Sequence, residues 1–139
     1  MQYIWSVLCQ KCTTNVEDGL VNLLSCISGI FYAPPKKLMD GDIIPGIMNL
    51  ATLWMVEENE DEFLEYKVEL ISPDKKKIKT ITESKIKVRK DKLNLTTYSL
   101  IKEFPYAGEG TYFFRILKKI EKKYKEIDEV PLKIKIKKT

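Results

Sequence analysis

The sequence contains no histidine, and this absence excludes more than any motif in the chain establishes. Without an imidazole there is no His-based nucleophile triad, no His general base and no His metal ligand. Cysteine is sparse, and Cys9, Cys12 and Cys26 fall short of the four ligands of a closed zinc site. The six glycines are scattered and form neither a phosphate-cradling loop nor a dinucleotide fingerprint. Long apolar runs are missing too. Leu20 to Tyr32 is broken by Asn22 and Ser25, and Ile43 to Val56 by Pro45, Gly46 and Asn49. Both are shorter than the roughly 20 apolar residues of a spanning helix. Gln2, Ser6, Gln10 and Lys11 interrupt the apolar stretch that a secretory signal needs. A soluble, cytoplasmic protein with no membrane partner and no cofactor is the expectation.

What is present suits one globular unit. The 139 residues are 44% apolar, enough for a real core, so residues 1–139 are read as a single domain. The net charge of +4 hides a polarity. Residues 1–64 carry three Lys and nine Asp or Glu, a sum of −6, whereas residues 65–139 carry 21 Lys or Arg and 11 Asp or Glu, a sum of +10. Such asymmetry marks either a polyanion-binding surface or the solvated faces of lysine-rich strands.

Period-two alternation identifies the strands. Between Glu62 and Ile71, Leu64, Tyr66, Val68 and Leu70 share one face, and Glu65, Lys67 and Glu69 the other. Ser72-Pro73-Asp74-Lys75 reverses the chain, because proline presets φ and aspartate bonds nearby backbone. The returning arm, Lys77 to Arg89, sets Ile78, Thr80, Thr82, Ser84, Ile86 and Val88 against a charged, solvated face. Leu93, Leu95, Thr97, Ser99 and Ile101 share a register before a corner at Phe104 to Gly108. Beyond it, Tyr112, Phe114 and Ile116 alternate with Thr111, Phe113 and Arg115. Leu132, Ile134 and Ile136 interleave with Lys133, Lys135 and Lys137, which predicts a final edge strand whose lysines discourage pairing with other chains.

The first half is less regular. Gln2 to Cys9 reads as a strand, Val16 to Gly19 as a turn, and Leu20 to Leu24 with Ile27 to Phe31 as short strands or one bent strand. Ala33 to Asp42, with its two prolines, reads as a crossing loop. Ile47 to Val56 is apolar in both registers and suits a central strand, and Glu57 to Glu62 is an acidic connection. Arg115 to Glu129 also fits a helix, since Ile116, Ile120, Tyr124 and Ile127 recur at helical spacing. A strand, a turn near Lys118 to Lys122 and a second strand near Lys123 to Ile127 are preferred, because β alternation flanks the segment. A short helix over residues 116–127 is the alternative. The fold class is all-β, an antiparallel, Greek-key-like sandwich of about eight or nine short strands, immunoglobulin-like in its strand spacing.

Val16-Glu17-Asp18-Gly19-Leu20-Val21-Asn22-Leu23-Leu24, then Gly29-Ile30-Phe31, Ile71-Ser72-Pro73-Asp74 and Pro105-Tyr106-Ala107-Gly108-Glu109-Gly110-Thr111-Tyr112, closing with Val130-Pro131-Leu132, resemble a family of uncharacterised small bacterial β-sandwich proteins. The resemblance implies a fold and no activity, and it carries no catalytic residue onto this chain.

Three constellations bear on chemistry. Cys9-Gln10-Lys11-Cys12 has the spacing of half a zinc site or a redox pair. Thr13-Thr14-Asn15 reads as a turn and not a helix start, so structural thiols near a strand end are expected. Glu57, Glu58, Glu60, Asp61 and Glu62, with Asp40 and Asp42, lack the ligand order of an EF-hand and read as solvated loops. Lys75, Lys76, Lys77, Lys79, Lys85, Lys87, Arg89 and Lys90 form a basic hairpin whose contact with a polyanion would be backbone-driven and nonspecific. Tyr98, Tyr112 and Tyr124 are candidate stacking residues for single strands, though such tyrosines more often complete a core. No catalytic, cofactor-binding or metal residue is assigned. The expected function is a non-enzymatic binding or scaffold module that presents loops or an open sheet edge to a protein partner. Nonspecific polyanion or nucleic-acid binding through the Lys-rich C-terminal half is the alternative, and a homo-oligomer is compatible with either.

Overall fold

The computed structural model describes residues 1–14, 21–57 and 63–137, and all regular structure within them is β. The strands are β1 (Gln2–Thr14), β2 (Val21–Cys26), β3 (Gly29–Tyr32), β4 (Ile43–Met55), β5 (Phe63–Ile71), β6 (Lys77–Lys87), β7 (Asn94–Pro105), β8 (Gly110–Ile120) and β9 (Lys123–Ile136). A four-stranded sheet has the order β2-β1-β4-β7, and a five-stranded sheet the order β3-β9-β8-β5-β6. No helix of the described residues is long and apolar enough to cross a membrane.

The two sheets bury one shared core. Leu8, Leu50, Trp54 and Ile101 come from the first sheet, and Leu64, Val68, Phe114 and Leu132 from the second. Aromatic rings join the layers, with Trp54 against Tyr66 at 5.9 Å and Phe104 against Tyr112 at 4.9 Å between centroids. Each such buried side chain contributes about 1.5–3 kcal/mol relative to exposure. Polar groups inside are matched. Trp54 Nε1 donates to Thr97 Oγ1 at 3.1 Å, and the Ser6 and Thr52 hydroxyls lie 2.8 Å apart.

The β5–β6 hairpin forms where alternation and Pro73 predict it. Ser72 O accepts from Lys75 N at 2.9 Å, and Ser72 Oγ accepts from Lys76 N at 3.1 Å. Residues 116–127 are strand, turn and strand. Glu121 and Lys122 both adopt positive φ, 51° and 70°, the pattern of a two-residue turn that suits hairpin twist.

Several expectations are corrected. β1 continues through Cys12 to Thr14 instead of turning at Thr13. β2 and β3 belong to different sheets, the chain changing sheet at Ile27-Ser28. As a result β3 pairs with β9 in parallel, and the sandwich is not antiparallel throughout. The C-terminal strand is therefore no edge, since β9 lies between β8 and β3. Leu132 and Ile134 are buried and Ile136 is half-buried, as the alternation predicts. The lysine-bearing edge is β6, which pairs only with β5. Register shifts leave Ile78 and Ile81 as extra residues in β6, so Thr80 is exposed and Lys79 turns to donate to Glu103 O on β7 at 3.2 Å. Leu93 lies outside β7 and is 83% exposed. The expected turn at Val16 to Gly19 and most of the acidic connection, Glu58 to Glu62, fall outside the described residues.

Candidate functional site

The outward faces of the two sheets differ in chemistry. On the five-stranded sheet the lysines meet carboxylates and aromatic rings. Glu69 is buried and bridges Lys77 at 2.8 Å and Lys67 at 3.8 Å. Glu65 bridges Lys119 at 3.1 Å and Lys85 at 3.6 Å, and the hydrogen bond from Lys119, with further help from Lys85, holds its carboxyl below the usual range. Arg115 sits between Glu129 at 3.3 Å and Glu126 at 3.6 Å. Burial, followed by the hydrogen bond and charge of Glu129, pushes Glu126 up.

The eight basic candidates of the hairpin run along β6 and its two ends, and several already have partners. Lys76 pairs with Asp74 at 3.7 Å and Arg89 with Asp91 at 3.0 Å. Lys75 stands 4.2 Å from the centre of the Phe113 ring, and Lys85 stands 4.7 Å from that of Phe63. Lys79 and Lys90 donate to the carbonyl oxygens of Glu103 and Glu57. Lys87 is exposed. Of the three tyrosines Tyr124 reaches β6, its hydroxyl donating to Glu83 Oε1 at 3.5 Å, and the other two lie apart. Tyr112 is fully buried, Tyr124 lies under Lys67 at 4.5 Å, and Tyr98 is on the other sheet.

The outward face of the four-stranded sheet is apolar. Paired residues share a face and alternate along each strand, so the register places Trp5 and Val7 of β1 beside Leu53 and Ala51 of β4. Ala51 in turn lies beside Tyr98, and Asn49 beside Leu100, on β7. Ile47 and Met55 extend the patch along β4, and Leu24 on β2 extends it sideways. Trp5, Val7 and Leu53 are half-buried among their neighbours. Of the twelve large hydrophobics exposed among the described residues, six belong to this face: Leu24, Ile43, Ile47, Met55, Tyr98 and Leu100. Its charged residues, Lys11, Lys102 and Glu103, lie at one end, leaving the centre uncharged.

The apolar face escapes a sequence reading because its residues come from four strands. One signal does exist. Ile47 to Val56 is apolar in both registers, yet a two-layer sandwich covers only one side of a strand, so the second apolar side must face outward.

Cys9 and Cys12 are joined by a disulfide within β1, and Cys26 is a free, exposed thiol. Cys9 is buried, and its register partner across the sheet is Cys26. Asp42 accepts a bond from Met39 N at 2.8 Å in the crossing loop. Among the described residues no group of three or more Cys, Asp or Glu side chains is placed to hold a metal ion. Comparison with family models, characterised proteins and solved structures finds no match to this chain.

Proposed function

We propose that this chain is a non-enzymatic binding module that recognises a different protein through the outward face of its four-stranded sheet. The observation that carries the reading is the contrast between the faces, one lined with charges, several of them paired, and the other apolar with an uncharged centre. Trp5, Tyr98 and Met55 are residue types enriched at interface centres. Four strands about 4.8 Å apart and about seven residues of roughly 3.3 Å each give a face on the order of 400 Å². An outline of that order can hold an apolar patch of the kind that is often functional on a monomer. It is smaller than the roughly 800 Å² per partner of a standard stable interface. The size favours a reversible contact with a partner whose own surface is apolar and uncharged, because any charge buried against this centre would find no counter-ion. The polyanion reading draws less support, since several cations of the hairpin are already engaged, Lys77 by Glu69, Lys85 by Glu65, Lys76 by Asp74 and Arg89 by Asp91.

A photo-crosslinking side chain placed at Leu100 or at Lys87 in the native cell tests the proposal. A protein adduct of discrete mass at Leu100, absent at Lys87 and abolished by Leu53→Lys without loss of melting temperature, is expected. An adduct of twice the chain mass would make the face a self-association surface, and nucleic-acid adducts at Lys87 would install the polyanion reading. Either result, or no adduct at Leu100, overturns the proposal.

A further inference from the structure

The loop after β3, the corner between β7 and β8 and the end of β9 enclose an open cleft of about 630 Å³, which falls within the roughly 300–1,000 Å³ of small-molecule sites. No residue lining it belongs to the apolar sheet face. Its walls are tied down on each side. Lys137 N donates to Tyr32 O at 2.8 Å where the loop leaves β3, and Tyr106 N donates to Asp42 O at 2.7 Å where the loop approaches β4. Gly41 N returns a bond to Tyr106 O at 2.9 Å. From beneath, the Tyr112 hydroxyl accepts from Ala107 N at 2.7 Å and donates to Gly108 O at 2.6 Å. Ile136 N donates to Glu109 Oε1 at 2.6 Å, joining β9 to the corner. Pro34 and Pro35 restrict the loop further by fixing their own φ. The cleft is thus formed in advance, and a ligand entering it has little chain to order.

The lining has two characters. Pro34, Pro35, Leu38, Ile136 and the ring of Tyr106 are apolar. Lys36, Lys37 and Lys137 add three ammonium groups against the single carboxylate of Glu109, an excess of two positive charges. That carboxylate already accepts the Ile136 N–H, so it is held against the wall. Burial, reinforced by Glu109 and Asp40, keeps the Tyr106 hydroxyl protonated to higher pH than usual, leaving it a donor. An apolar lining beside an excess of lysines matches one ligand class. We propose that this cleft binds a small amphipathic anion, an apolar chain or ring ending in one carboxylate or sulfonate, with its body against Leu38 and Ile136 and its head group among Lys36, Lys37 and Lys137.

The test titrates the whole protein with decanoate, with decanol and with sodium sulfate, below any micelle threshold, following backbone amide shifts by NMR. Decanoate should shift the amides of Leu38, Tyr106 and Ile136 with one-site saturation. Decanol and sulfate should each bind at least about tenfold more weakly, because each supplies half of the recognition. Replacing Lys36, Lys37 and Lys137 together by Gln should weaken decanoate to the level of decanol without changing the melting temperature, since all three are exposed. Leu38→Glu should abolish binding from the apolar side. Equal binding of decanol and decanoate, binding of sulfate as tight as that of decanoate, or shifts centred on Leu53, Tyr98 and Leu100 would overturn the proposal. So would the absence of a saturable shift.

Discussion

Replacing Tyr112 by phenylalanine removes one oxygen and leaves the ring that packs on Phe104. The hydroxyl holds the corner from its concave side, accepting from Ala107 N and donating to Gly108 O. Without it two backbone groups lose their bonds, and a net cost of about 1–3 kcal/mol is expected, partly offset where the corner relaxes toward water. A second readout isolates the proton. Burial is the main cause that pushes the Tyr112 ionisation up to about 12 from 10, the Ala107 N–H pulling the other way and Tyr106, Asp40 and Asp74 adding to the rise. The folded chain therefore keeps this proton after the unfolded chain has lost it. Its contribution is complete below pH about 10 and is lost as pH climbs toward about 12, by at most about 2.7 kcal/mol for a two-unit difference. Phenylalanine has no such proton. The stability gap between wild type and Tyr112→Phe should accordingly close between pH 10 and 12, while Tyr3, also pushed up to about 12 by burial and Asp128, is common to both and cancels. Urea unfolding followed by tryptophan fluorescence, from about pH 8 to about pH 12, measures the gap. A gap that does not change with pH, or a variant as stable as wild type at about pH 8, refutes the reasoning.

On β9, Ile134→Ala should cost about 2–5 kcal/mol while Lys135→Gln stays within about 0.5 kcal/mol, and removing residues 131–139 should leave an aggregating or unfolded chain. Equal melts for these variants would mean that β9 does not pair as described. The Ile27 N–H bond to Leu8 O makes the next pair, Cys9 and Cys26, a non-hydrogen-bonded one with Cα atoms about 4.5 Å apart, within disulfide reach. Cys12→Ser should consequently acquire a Cys9–Cys26 link under mild oxidant, and two free thiols by mass spectrometry would contradict the register. Glu65 titrates below its ordinary range, so its stabilisation is present above the unfolded value and fades as pH falls through the lower folded one. Lys119→Met should raise its NMR titration midpoint, and an unmoved midpoint would assign the shift elsewhere.

The β5–β6 hairpin was legible because three local signals agree there, alternation, the proline and the aspartate. Residues 116–127 satisfied helix and strand periods at once, and the turn at Glu121-Lys122 carries neither Gly nor Asn to announce itself. The bulges at Ile78 and Ile81 shift Thr80 and Lys79 to unexpected sides without any mark in composition. Lysines between aliphatics on β9 looked like edge protection, but an alternating pattern records which side is solvated and says nothing of which strands lie alongside. Only the pairing with Gly29 to Tyr32 decides that. The cleft was hidden for the same reason, its lining being drawn from Pro34, Tyr106 and Ile136, which are remote in sequence.

The parallel pair β3–β9 has a kinetic side. Gly29 is opposite Lys133, so 104 intervening steps of chain must be gathered before this ladder closes. Closing so long a loop is entropically costly until other contacts have shortened it. During synthesis β3 waits for its partner until residues 133–136 emerge, with its own apolar side chains Ile30 and Phe31 unpaired. The β5–β6 hairpin and the short turn of β8–β9 are local enough to form first and to present the surface on which β3 docks. Completion of the fold is thereby timed to the arrival of β9, and a nascent chain halted before residue 130 should be held open and vulnerable to protease.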